Sequence, residues 1–143
     1  MGACGGGGSG KQLVAIKPAD DFTSAAEQYR LTRGVPYVPT PVAHDGLMYL
    51  WHDGGRVLCV DVATGKTVWQ ERLGSSYGGS PIVLGDTLLG MSMEGDAVFL
   101  AASREFKRIA TLPLGESTQA TPAVVDGKLY LRTESKLLCI TPK

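Results

Sequence analysis

The sequence predicts an all-β chain of repeated four-stranded antiparallel units, an incomplete arc of about three blades of a β-propeller. Three observations carry this: a repeat of about 40 residues, four short apolar runs per repeat, and weak helix signals throughout.

The repeat is visible in three stretches: TPVAHDGLMYLWHDGGRVLCVD from Thr40, SPIVLGDTLLGMSMEGDAVFLA from Ser80, and TPAVVDGKLYLRTESKLLCIT from Thr121. Pro41, Pro81 and Pro122 stand 40 and 41 residues apart, and Val60, Leu100 and Ile140 stand 40 and 40 apart. Leu73-Gly74 recurs 41 residues later as Leu114-Gly115. Several landmarks in one register exclude coincidence.

Each unit opens on a short strand of the TPVA type. A turn pair follows, Asp45-Gly46, Gly85-Asp86 or Asp126-Gly127, and leads into LMYLW, TLLGMSM or KLYLRT. The third strand is RVLCVD, AVFLAA or KLLCIT, and the fourth is TVWQERL or RIATLPL. Residues 21–30, DFTSAAEQYR, are the one helix-like stretch, and they lack a sustained apolar stripe. Four short strands per 40-residue period are the mark of propeller blades, whose apolar faces are buried only by stacking.

The whole chain, 1–143, reads as one propeller arc. Residues 1–34 form a Gly-rich start and a partial blade contributing its third and fourth strands, QLVAIK and EQYRLT. Whole blades follow at 35–74 and 75–115, and 116–143 hold the first three strands of another. The sum is thirteen strands. Closed propellers have about four to eight blades. The expectation is therefore the C-terminal arc of a longer propeller, starting inside a blade, with self-association through its unprotected strand edges.

Composition narrows the function classes. With 143 residues and 43% hydrophobic content, the chain can bury a core. Fourteen basic residues balance fourteen acidic ones, which gives no electrostatic footprint for nucleic acid. No apolar run reaches the 18 or so residues of a membrane span, and the start lacks the apolar segment of a signal peptide. Cys4, Cys59 and Cys139 are an odd number without CxxC spacing.

The stretch VDVATGKTVW, 60–69, needs a tight reversal between two strands. Gly65 is free to take positive φ there, and the Asp61 carboxylate can accept from backbone N–H groups of the turn. Trp69 then falls on the fourth strand, where a large ring can be buried at a blade seam and give its indole N–H to a neighbouring carbonyl. This reads as a structural latch.

The stretch CVDVATGKTVW resembles the tryptophan-docking motif of PQQ-type quinoprotein propeller repeats, A-x-D-x-x-T-G-K-x-x-W. Asp61, Thr64, Gly65, Lys66 and Trp69 match, and Cys59 stands where Ala is usual. PYVPTPVAHDGLMYLWHDGG and ATPAVVDGKLYLRTESKLLCI also resemble PQQ-like repeat proteins related to the BamB outer-membrane assembly lipoprotein, of the kind abundant in planctomycete-type bacteria. The resemblance covers residues 11–143. In the other units Ile109 and Tyr29 take the Trp position, each 40 residues from Trp69.

Several stretches invite chemistry. GGGGSGKQ, 5–12, nearly spells a phosphate loop, but Gln12 replaces the hydroxyl and a strand follows, so it reads as a turn or linker. His44-Asp45 and His52-Asp53 fall in turns at opposite ends of one strand, and the other units carry Leu84, Val125, Ser92 and Thr133 instead. They read as solvated turn residues, with no metal site. Cys59 and Cys139 lie 80 residues apart, two blade periods, too far for a disulfide. Quinoprotein dehydrogenases resembling this fold carry a vicinal Cys pair and a catalytic Asp near Ca²⁺; this sequence has no such pair.

The expectation is a non-enzymatic scaffold without cofactor or catalytic residues. It would bind a protein or polymer partner, or the remaining blades of a longer propeller. The resemblance implies a periplasmic or other extracytoplasmic place and a role in envelope assembly. The alternative is a degenerate PQQ-dependent oxidoreductase fragment.

Overall fold

The computed structural model describes residues 2–4 and 10–141. Strands β1 (Gly2–Cys4), β2 (Gln12–Pro18) and β3 (Ala25–Leu31) form the first antiparallel sheet. The second sheet holds β4 (Val42–His44), β5 (Leu47–Trp51), β6 (Arg56–Asp61) and β7 (Thr67–Arg72) in chain order. The third holds β8 (Ile82–Leu84), β9 (Thr87–Met91), β10 (Asp96–Ala101) and β11 (Arg108–Pro113). The fourth holds β12 (Ala123–Val125), β13 (Lys128–Arg132) and β14 (Leu137–Ile140). No helix among the described residues is long and apolar enough to cross a membrane.

One expectation needs correction. The first blade has three strands rather than two, so the total is fourteen rather than thirteen. Gly2 pairs with Val14 and Cys4 with Gln12. A Gly-Ala-Cys tripeptide has no β signature of its own, and only the backbone ladder to β2 makes it a strand. The phosphate-loop-like stretch falls mostly on residues 5–9, outside the described residues.

The turn pairs close the first hairpin of each complete or C-terminal unit. Asp45 and Gly46 have φ of 46° and 72°, and Asp126 and Gly127 have 49° and 72°. Both positions positive is the mirror-image turn whose twist suits adjoining strands. In the third sheet the order is reversed: Gly85 takes the positive φ of 56° and Asp86 follows.

The core explains why the middle strands read as continuous apolar runs. All five residues of β5 are buried. Alternate side chains point to opposite faces of a strand. Leu47, Tyr49 and Trp51, with Val57 and Cys59 of β6, pack against Leu88, Val98 and Leu100 of the third sheet. Met48 and Leu50, with Leu58 and Val60, pack against Leu13 and Val35. Leu89, Met91 and Ala97 meet Leu131 of the fourth sheet. Each of the two middle sheets thus shares its two faces with two neighbours, and the first and fourth sheets each pack on one. β11 is exposed along its whole length and β7 along most of it.

Candidate functional site

The turn after β6 is built by its own side chains. The Asp61 N–H donates to the Lys66 carbonyl at 2.9 Å, and the Gly65 N–H donates to the Asp61 carbonyl at 2.8 Å. The Asp61 carboxylate accepts from the Thr64 N–H at 3.1 Å and from its hydroxyl at 3.0 Å. The Lys66 N–H donates to the Thr64 hydroxyl oxygen at 3.3 Å. Gly65 has φ of 69°, a conformation L side chains resist. Lys66 takes part through its backbone, and the residue is exposed. The Thr64 hydroxyl, and after it Arg104, hold the Asp61 carboxyl below the usual carboxylate range.

Trp69 does not complete this turn; it reaches the next blade. Its Nε1–H donates to the Ser103 carbonyl at 3.0 Å, in the turn after β10. Its ring lies between Phe106, edge-on with centroids 5.3 Å apart, and Tyr49 at 5.9 Å. Arg104 reaches back to the Asp61 carboxylate at 3.4 Å. Trp69 is only partly buried. The tryptophan wholly withdrawn from water is Trp51, at 0% exposure.

The 61–66 turn is covered by the preceding blade. Tyr29 of β3 donates its hydroxyl to the Val62 carbonyl at 2.9 Å, and a Cβ on Gly65 would stand 2.5 Å from the Tyr29 ring. Tyr29 pairs with Ala15, and Trp69 with Cys59, each beside a β-bulge. The two aromatics therefore hold equivalent places on successive blades. In the third sheet the equivalent place belongs to Ala110, opposite Phe99, and not to Ile109. The cause is turn length: the Ala101 N–H closes onto the Lys107 carbonyl, enclosing one residue more than the Asp61–Lys66 bond. Ile109 is left 50% exposed.

Four further seam contacts escaped sequence reasoning. The Thr40 N–H donates to the Ser80 hydroxyl at 2.9 Å, and the Ser80 N–H to the Thr121 hydroxyl at 2.9 Å. The recurring Thr-Pro and Ser-Pro pairs were the available signal. Trp51 packs on Gly90, where a Cβ would stand 2.6 Å from the indole, and meets Tyr77 edge-on at 5.3 Å. Burial pushes the Tyr77 hydroxyl up to about 12 and the Cys59 thiol up to about 11. At the fourth blade the Glu116 carboxylate gathers Lys136, the Thr133 hydroxyl and both the N–H and hydroxyl of Ser135.

The two histidines are separated as the strand length requires. His52 accepts from the Gly54 N–H at 3.0 Å at one end of β5. His44, at the other end, lies 3.3 Å from Asp86 on the neighbouring blade and 3.7 Å from Asp45. Cys59 and Cys139 are free thiols on β6 and β14, with the third sheet between them. A crevice of about 460 Å³ opens between the third and fourth sheets, bordered by Met93, Thr118, Arg132 and Glu134.

Residues 9–143 match the family model described as outer membrane protein assembly factor BamB. The chain belongs to this BamB family. Its fold is also similar to the crystal structure of BamB from Moraxella catarrhalis, with TM-score 0.73 and 21% identity. That match covers 92% of this chain and 41% of the Moraxella protein, so the chain spans about two fifths of its length. Quinohemoprotein alcohol dehydrogenase ADHIIG from Pseudomonas putida HK5 matches with TM-score 0.58 and 18% identity, over 66% of this chain and 16% of that one. The quinohemoprotein alcohol dehydrogenase of Comamonas testosteroni matches with TM-score 0.56 and 19% identity, over 68% and 17%. At such identities these likenesses show the propeller fold alone. No curated protein sequence matches significantly.

The vicinal Cys pair that the quinoprotein resemblance would imply is missing from the sequence, and Cys59 and Cys139 lie on blades that do not adjoin.

Proposed function

We propose that this propeller arc is a non-enzymatic interaction scaffold that binds a protein partner in cell-envelope assembly, outside the cytoplasm. What supports this reading is the use to which the motif residues are put. Asp61, Thr64, Gly65 and Trp69 spend their bonding capacity on turns and seams, which supports reading them as structural latches rather than catalytic groups. Membership of the BamB family supports the assembly role.

The surface offered to a partner lies in the end loops. Pro36-Tyr37-Val38-Pro39 leads into the second blade, with Tyr37 and Val38 each 57% exposed. Tyr37 is held in place: its N–H donates to the Asp53 carboxylate at 2.7 Å, and Lys11 lies 5.0 Å over its ring. A fixed, exposed tyrosine flanked by prolines is a low-entropy anchor of the kind that dominates protein interfaces.

Further blades, or a second copy, are the other partner class. Val124, Val125, Leu137 and Ile140 leave apolar surface on the fourth sheet of the type that blades bury against one another.

A photo-crosslinking residue placed at Val38 in cells tests the scaffold reading. The expected result is a discrete adduct with an outer-membrane assembly protein, lost on Tyr37→Ala. An absorbance change on adding PQQ and Ca²⁺, with dye reduction and no adduct, would establish the oxidoreductase alternative instead.

A further inference from the structure

We propose that His44, Asp45 and Asp86 form a zinc-class divalent-cation site that staples the second blade to the third. The donor atoms of these three side chains all lie within 4.8 Å of one another. They come from two blades: His44 ends β4, Asp45 begins its turn, and Asp86 lies in the equivalent turn after β8.

The separations suit a small tetrahedral ion. Bonds of about 2.0–2.1 Å put neighbouring ligand atoms about 3.4 Å apart. His44 Nε2 is already 3.3 Å from Asp86 Oδ1 and 3.7 Å from Asp45 Oδ2. The half-buried imidazole is the fixed member, with side-chain exposure of 24%, and the carboxylates are exposed at 84% and 93%. Small rotations of the two exposed carboxylates close the third edge, and water completes the shell. One imidazole with two carboxylates is a borderline donor set that favours zinc over calcium or magnesium.

Two departures from the repeat meet at this one place. His44 stands where the following units have Leu84 and Val125. Asp86 stands where the other turns have Gly46 and Gly127, because Asp-Gly is reversed to Gly-Asp at 85–86. Neither change serves the apolar seam, and each alone would leave a solvated turn. Together they supply facing ligands on opposite sides of one interface. The resulting link joins β4 to β8, beside the Thr40–Ser80 hydrogen bond at the other end of these strands.

Zinc titration by calorimetry, with thermal unfolding, tests the site in a Cys4→Ser/Cys139→Ser background that removes competing thiols. Zinc is expected to bind in the micromolar range with one equivalent per chain and to raise the unfolding midpoint. His44→Leu, which copies the next blade, and Asp86→Gly, which copies the other turns, should each weaken binding about tenfold or more. His52→Leu should leave the affinity unchanged. Equal zinc affinity in the parent and His44→Leu chains, or no binding in the parent, would overturn the proposal.

Discussion

Tyr29 lies against Gly65 across the first complete seam, its ring 2.5 Å from the place a Cβ would occupy. The glycine is needed twice: its φ of 69° disfavours any side chain, and the tyrosine ring fills the space such a side chain would take. The same ring donates to the Val62 carbonyl. A single residue type thus serves the local turn and the contact between blades.

Gly65→Ala should therefore destabilise by about 2–3 kcal/mol, more than the backbone conformation alone would cost. Urea denaturation measures it. Combining it with Tyr29→Ala should recover part of the loss, because the steric share vanishes with the ring. Strict additivity of the two substitutions would refute the contact.

Trp69→Phe should cost about 1 kcal/mol, the worth of the hydrogen bond to Ser103 with most of the ring packing kept. Trp69→Ala should cost about 2–3 kcal/mol, below the range for a fully buried aromatic because Trp69 is only partly buried. Equilibrium unfolding of both variants, followed by circular dichroism, gives the order.

At the same seam, Gly90→Ala should destabilise by about 1–3 kcal/mol, since its new methyl would meet the Trp51 indole in a closed core. Trp51→Leu alone leaves a void, yet it should make Gly90→Ala less costly. A double-mutant cycle on denaturation midpoints shows whether the coupling has that sign.

Acid should weaken the fourth blade through Glu116. Lys136, Thr133 and Ser135 lower its pKa from the ordinary 4.5 to about 2. Between those values the unfolded chain takes up a proton that the folded chain refuses, so stability falls as pH drops through the window. Glu116→Gln should remove this part of the pH dependence. Urea midpoints at about pH 5 and about pH 2.5 compare the two chains.

Much of the architecture was legible because blade spacing is written in residue types. The turn pairs, the apolar middle strands and the Asp61–Lys66 reversal all follow from local preferences for positive φ, for β structure and for side-chain capping. Ile109 shows the limit. Counting 40 residues from Trp69 lands on it, but one extra residue in the turn after β10 moves Ala110 into that place. Trp51 was equally hidden, because nothing near it in sequence signals that Gly90 lies under its ring.

The sequence by itself determined the repeat, the strand content and the turn chemistry, since these depend on neighbours within a few residues. Only the tertiary structure decided which blade each side chain serves. Tyr29 closes the turn of the next blade, Trp69 that of the one after, and His44 finds Asp86 42 residues away. The physical reason is that each sheet buries its faces only against its neighbours, so partners across a seam are set by stacking and strand register rather than by proximity along the chain.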